Sequence, residues 1–308
     1  MTLAVLLALA ATQSLQPKTK ALTPDAVITH PLVAENSGMV ASKRYPGVVW
    51  VHNDSGDEAR FWGIRTNGTV IVPDFLADRF SAKKEDGKEP YPGIRVGNAV
   101  NFDWEDIARL GDRLYLGDVG NNGNARRDLG VYEVLEPNPS ATDKTRPIAH
   151  YTIAYPDQTE FPGVVRWHFD CEAVFGHAGK LWFLTKHRAP GQIAVPETGT
   201  NLYRLDNPKP DQVNVLKKVD AAKDLGGWVT AADMSPDGKT LAVLCQAPQA
   251  SIWLFSKPKN GDRWLSGEFK RLLLRNAKQA ESLTWLDNRT LLLGNEQREL
   301  FRISTSEF

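Results

Sequence analysis

The sequence predicts an all-β fold, a five-bladed β-propeller of four-stranded antiparallel blades whose last blade is closed by the N-terminal strand. Three observations carry this. One pattern recurs five times along 308 residues, tight-turn residues fall at the same point of four of the recurrences, and the last repeat is one strand short while a spare strand stands near the start.

The repeats begin at Glu35, Asp103, Asp170, Val229 and Gln279, each with an acidic or polar start, a short apolar strand, a turn and a second, more apolar strand. The turns read "LGDR", "HAGK", "PDGK" and "LDNR", all suited to a tight hairpin. A third strand follows in "RFWGIRT", "GVYEVLE", "TNLYRLD", "SIWLFSK" and "ELFRIST", and a fourth in "TVIVPDF", "AHYTIAY", "QVNVLKKV" and "FKRLLLR". The fifth repeat stops at Phe308 after its third strand, and "DAVITHPL", residues 25–32, is the strand left to complete it and remove an open edge. Six blades is the alternative. The extra blade would have to lie in residues 74–102, a Lys/Pro/Gly-rich stretch that reads as a loop, as does "HRAPGQIAVPETG" from His187.

Composition restricts the function classes. Lys+Arg and Asp+Glu stand at 37 each, and the basic "SAKKEDGK" is interleaved with acids, so nucleic acid is not an expected partner. Residues 1–16 read as a secretory signal peptide, with an apolar run from Leu3 to Ala11 and small residues after it, although the basic start of such signals is missing. A mis-chosen start or a buried helix are the alternatives, and the run falls short of the ~20 residues a membrane span needs. The expectation is a single propeller domain over residues 25–308, secreted or periplasmic, monomeric, with a small-molecule ligand. Cys171 and Cys245 are either one bridge or two buried thiols.

Propeller geometry places the start of each first strand beside the end of each second strand, around one mouth of the channel. Stacking the repeats puts Ser37, Glu105, Glu172, Ala231 and Glu281 in one column, and Glu35, Asp103, Asp170, Val229 and Gln279 two residues earlier. The second strands end in Asn53, Asp54, Asp118, Lys186, Gln246, Asn295 and Glu296. So many carboxylates repel one another unless a cation sits among them, and an Asp/Glu/Asn set suits a hard divalent ion, calcium before magnesium or manganese. Glu35, Asn53, Asp54, Asp103, Asp118, Asp170, Glu281 and Glu296 are the candidate ligands. Glu105, Glu172 and Lys186 are the candidate catalytic residues, Glu172 as general base and Lys186 as the group facing developing negative charge. The competing reading is that such acids cap loop amides.

"ENSGMVAS", "DWEDIA" with "LYLGDVGNN", "EAVF" with "LWFLTKH", "TAADMSPDGKTLAV" and "AESLTW" with "LLLGNE" resemble bacterial secreted propellers and, more distantly, phytase-like and gluconolactonase-like propellers. The second likeness implies one divalent cation held by Glu35 or Glu105 with Asn53, Asp118 and Glu281, polarising a lactone or ester. The first implies several calcium ions, with Lys186, His187, Arg126 and Arg127 taking phosphate. The expected activity is metal-dependent hydrolysis of small esters, lactones or phosphoesters. The alternatives are a non-catalytic ligand- or protein-binding propeller with structural calcium, and a glycoside hydrolase using Trp104, Trp167 or Trp228 as sugar platforms. His168 and His187 also fall near the mouth.

Overall fold

The computed structural model describes residues 17–85 and 87–308, so the signal-peptide reading of residues 1–16 lies outside it. Five antiparallel sheets follow one another around a channel. Their second strands are apolar almost throughout: Val48–Asn53 is buried at every position. Such strands cannot alternate in and out, because both faces of a blade are covered by its neighbours. The core is accordingly divided into five clusters, one for each contact between consecutive blades. One of them unites Met39, Val49, Val51 and Trp62 of blade one with Leu292 and Leu300 of blade five. Consecutive first strands touch all the way round, leaving no place for a sixth blade.

The ring closes as the sequence implies, through a shorter strand. Within residues 25–32 only Ala26–Val27 pairs, antiparallel to Glu299 and Leu300 of blade five. Ile28 and Val33 then enter the core between blades five and one. An additional segment, Lys18–Ala21, runs parallel to Leu272–Arg275 on the rim of blade four, so the N-terminal stretch spans two blades. Similar short parallel strands, Lys144–Thr145 and Asn214–Val215, edge blades one and two.

One expected strand is misplaced. "TVIVPDF" makes only an isolated bridge between Val70 and Ile64, and the fourth strand of blade one is Ile94–Val96, from within the stretch that reads as a loop. Pro73 has no amide to offer a sheet and leads into the turn of 3-10 helix Asp74–Leu76. Ile94 and Val96 bury while Arg95 faces out, a strand too short to stand out among Lys, Pro and Gly. Cys171 and Cys245 are buried free thiols in different inter-blade clusters.

Every first strand carries a β-bulge at the same place. The register against the second strand skips Ser37, Glu105, Glu172, Thr230 and Glu281 in blades one to five. A bulge inserts one unpaired residue and re-aims its side chain. The blade-four member is therefore Thr230; Ala231 pairs regularly with Leu244. The one-residue slip in the sequence column arises because no acid marks the position. Ser37 and Thr230 spend their hydroxyls on the next blade, donating to Glu105 O (3.0 Å) and Ala280 O (2.8 Å). The three glutamates have no such link and face the channel mouth.

Candidate metal centre at the channel mouth

The second-strand ends divide by role. Asn53 Oδ1 accepts the amides of Ala34 and Glu35 (3.0 and 3.3 Å), while its Nδ2 donates to Leu32 O and Asp57 Oδ2 (2.8 and 2.7 Å). Its polar atoms are all engaged, and it caps the chain into the first strand. Asp118 Oδ1 accepts the amide of Asp103 (3.1 Å) and pairs with Arg126 Nη1 (2.9 Å). Asn295 is engaged in the same way, by Ala277 O, Glu299 Oε2 and the Glu299 amide. Asn53, whose amide oxygen accepts two N–H groups and whose amide nitrogen donates twice, acts as a cap with no lone pair left for an ion, whereas Asp118 caps through Oδ1 alone and no described donor engages its Oδ2. Glu35 stands exposed at the rim, its amide held by Asn53 and its carbonyl by the Asp54 amide.

The remaining acids converge. One carboxylate oxygen from each of Asp54, Asp103 and Glu105 lies within 4.8 Å of the other two, and Glu105, Asp170 and Glu172 form a second such group sharing Glu105. The second group has its own counter-charges. Asp170, fully buried, accepts the Asn121 amide (2.6 Å) and pairs with Arg188 Nη2 (3.0 Å). Glu172 Oε1 takes a hydrogen bond from Lys186 Nζ (2.6 Å) and lies 3.8 Å from Arg188. Both cations rest on the Trp228 ring, at 5.1 and 4.9 Å from its centroid. In a third arc, burial and then the neighbouring Glu281 push Glu296 up to about 8, and Gln246 donates to Glu281 (2.8 Å).

Electrostatics follow from this division. Burial pushes the Glu105 carboxyl well above the usual range, and Glu172, Asp54 and Asp103 add to the rise. Asp103 is pushed up to about 6 by burial and by Asp170 and Asp54, against Arg126. Glu172 is raised by burial, with Lys186 opposing. Burial alone would lower Lys186, but Glu172 and Asp170 hold its ammonium above the ordinary value. Asp54, Asp103 and Glu105 thus form the one carboxylate group of the two that lacks a cation of its own among the described residues.

No protein-family model matches the chain, and no curated protein sequence matches it. Among solved structures the chain is similar to a 6-phosphogluconolactonase-like protein of Bacteroides uniformis, with 11% identity over 88% of this chain and 84% of that one, at a TM-score of 0.40. It is also similar to a gluconolactonase of Xanthomonas campestris, with 15% identity over 94% and 89%, at 0.36. A chain of the mitotic checkpoint complex shows 11% identity over 98% and 99%, at 0.35. What the mouth can do therefore rests on its own side chains.

Two carboxylates of the trio pack directly against the backbone at Gly120. A Cβ there would lie 2.2 Å from Glu105 Oε1 and 2.4 Å from Asp103 Oδ2. Those are ends of flexible side chains, so Gly120→Ala should fold with a loss under about 1 kcal/mol yet weaken calcium binding roughly tenfold by displacing two carboxylates. Calorimetric titration beside thermal unfolding checks both halves.

The other sequence candidates settle as follows. Trp104 is wholly buried in the contact between blades one and two, which removes it as a sugar platform. Trp228 carries Lys186 and Arg188, and its Nε1 donates to His187 O (2.5 Å). His168 and His187 stack at 3.8 Å, His168 against Glu197 (2.5 Å) and His187 against Thr185 (3.0 Å). Burial, then His168, lowers His187 to about 2, so it stays neutral. Arg126 is committed to Asp118 and Asp128, and Arg127 lies over Phe161 at the surface. Arg188 lies beyond the sequence candidates, on the strand Lys180–Arg188, which runs past Lys186 into the stretch that reads as a loop; its signal is the spacing of two from Lys186, which puts both on one strand face.

Proposed function

We propose that the mouth binds a divalent cation, calcium first, through Asp54, Asp103 and Glu105, and hydrolyses a small ester, lactone or phosphoester beside it. The observation that carries this is the trio, which forms no ion pair with a described cation, next to a carboxylate pair that has its own cations. An all-carboxylate oxygen set fits a hard ion. When bound, such an ion supplies Lewis acidity toward a carbonyl or phosphoryl oxygen and makes water more acidic. Glu172, with its raised pKa, is placed to take a proton from water. Lys186 and Arg188, held by Trp228, face the developing negative charge. Export, as the N-terminal run implies, would bring the site to calcium at levels that extracellular modules bind.

The test is to strip the protein with EDTA, reload it, measure bound cations, and assay ester, lactone and phosphoester panels with and without chelator. Chelator-sensitive turnover of one class is expected. Absence of stoichiometric calcium, magnesium or manganese after reloading sinks the proposal. Stoichiometric calcium with no turnover of any panel favours a structural ion in a binding propeller.

The pH dependence has a definite sign. A carboxyl whose folded-state pKa is raised holds its proton in the native state after the unfolded chain has lost it, so metal-free stability falls as pH rises from about 4 through about 6 for Asp103. Cation binding requires the ionised form. The calcium-induced rise in Tm should therefore be small at pH 5 and large at pH 8, read by scanning calorimetry at constant ionic strength.

A further inference from the structure

We propose that the opposite end of the channel is a second ligand site, taking a small organic carboxylate on Arg109. A cavity of about 340 Å³ opens where the first strands end, and all five blades wall it: Ala41 and Lys43, Arg109, Gly176, Asp233 and Trp285 in blade order. Only the closed ring makes it. Its volume is at the small end of ligand sites.

Arg109 is positioned from behind and open in front. Its Nε donates to Ala41 O (3.1 Å) and Nη1 to Gly111 O (3.4 Å), while Nη2 meets no described acceptor. Carbonyls orient a guanidinium without cancelling its charge. Beneath it two backbones pack directly: a Cβ on Gly176 would lie 2.2 Å from Arg109 O. Asp233, the half-buried acid of the cavity, makes no ion-pair contact with Arg109: burial raises its pKa to about 6, and its amide and hydroxyl donors and the Arg109 charge only partly oppose that. It is satisfied by the Met234 amide (2.8 Å), Thr284 Oγ1 (2.8 Å) and the Trp285 amide (2.9 Å). The other lining acid, Asp287, accepts the Arg289 amide (2.7 Å). Lys43, exposed at the edge, likewise pairs with no described carboxylate.

A fixed guanidinium with free donors beside an exposed ammonium matches a planar, singly charged carboxylate, which accepts a fork of N–H groups. The apolar walls beside it suit the carbon portion.

Acetate, succinate and benzoate are each titrated by calorimetry into the full chain, in EDTA so that the acidic mouth holds no cation, at matched chloride. At least one should bind with a Kd of about 1 mM or tighter. Arg109→Gln should weaken it at least about tenfold, and Lys43→Glu, at an exposed position that leaves folding intact, should weaken it severalfold. Glu105→Gln, at the other mouth, should leave it unchanged. No saturable heat with any of the three, or binding undiminished in Lys43→Glu and in folded Arg109→Gln, overturns the assignment.

Discussion

Glu105→Gln is expected to weaken binding of the proposed cation by at least about 100-fold, beyond the ~10–100-fold typical of losing a partner behind a ligand, and at the same time to stabilise the metal-free protein. The two effects share one cause. Glu105 lies in both carboxylate groups, is 4% exposed, and its carboxylate accepts no hydrogen bond from a described donor. Without an ion its charge is opposed by burial and by Glu172, Asp54 and Asp103. Glutamine keeps the shape and removes that repulsion, a gain of about 1–3 kcal/mol at pH 7. A purely structural glutamate would behave oppositely, losing stability on substitution. Calorimetric titration and urea unfolding in EDTA read both quantities. Calcium affinity within twofold of the parent would remove Glu105 from the site.

Arg188→Met has the largest effect on the fold, a loss of about 3–5 kcal/mol. Arg188 and Asp170 are 3% and 0% exposed, and Arg188 also donates to Asn122. Methionine fills much of the volume and leaves Asp170 as a buried charge with only the Asn121 amide and no cation in contact. Adding Asp170→Asn should recover a substantial part of the loss, since the stranded charge is then gone. A double-mutant cycle by urea unfolding measures this coupling. Equal, additive losses would mean that the two residues act separately.

Much of the ring was readable because hairpin chemistry is local. "PDGK" and "LDNR" mark turns without reference to anything distant, and five repeats, four of them with marked hairpins and the last one strand short, point to a closure by residues 25–32. What stayed hidden was set by partners far along the chain. Ile94–Val96 belongs to blade one only because Phe61 and Arg60 lie beside it. Asn53 looked like a ligand because a cap and a ligand use the same residue types; the amides facing its side chain decide between them, and those amides lie far from it in the chain. Asp54, Asp103, Glu105, Asp170 and Glu172 did meet as the repeat implied. Arg188, which balances two of them, lay in a stretch assigned to a loop.

The five bulges separate what the molecule is made of from what it does. A residue outside the pairing register owes nothing to the alternation that seats its neighbours in the blade, which is why serine, threonine and glutamate occupy the same socket. The mouth is in effect a five-position panel whose chemistry can be rewritten one substitution at a time. Histidines at two or three of these sockets would recast an oxygen-lined funnel into a nitrogen-lined one, with the hydrophobic seams between blades left untouched.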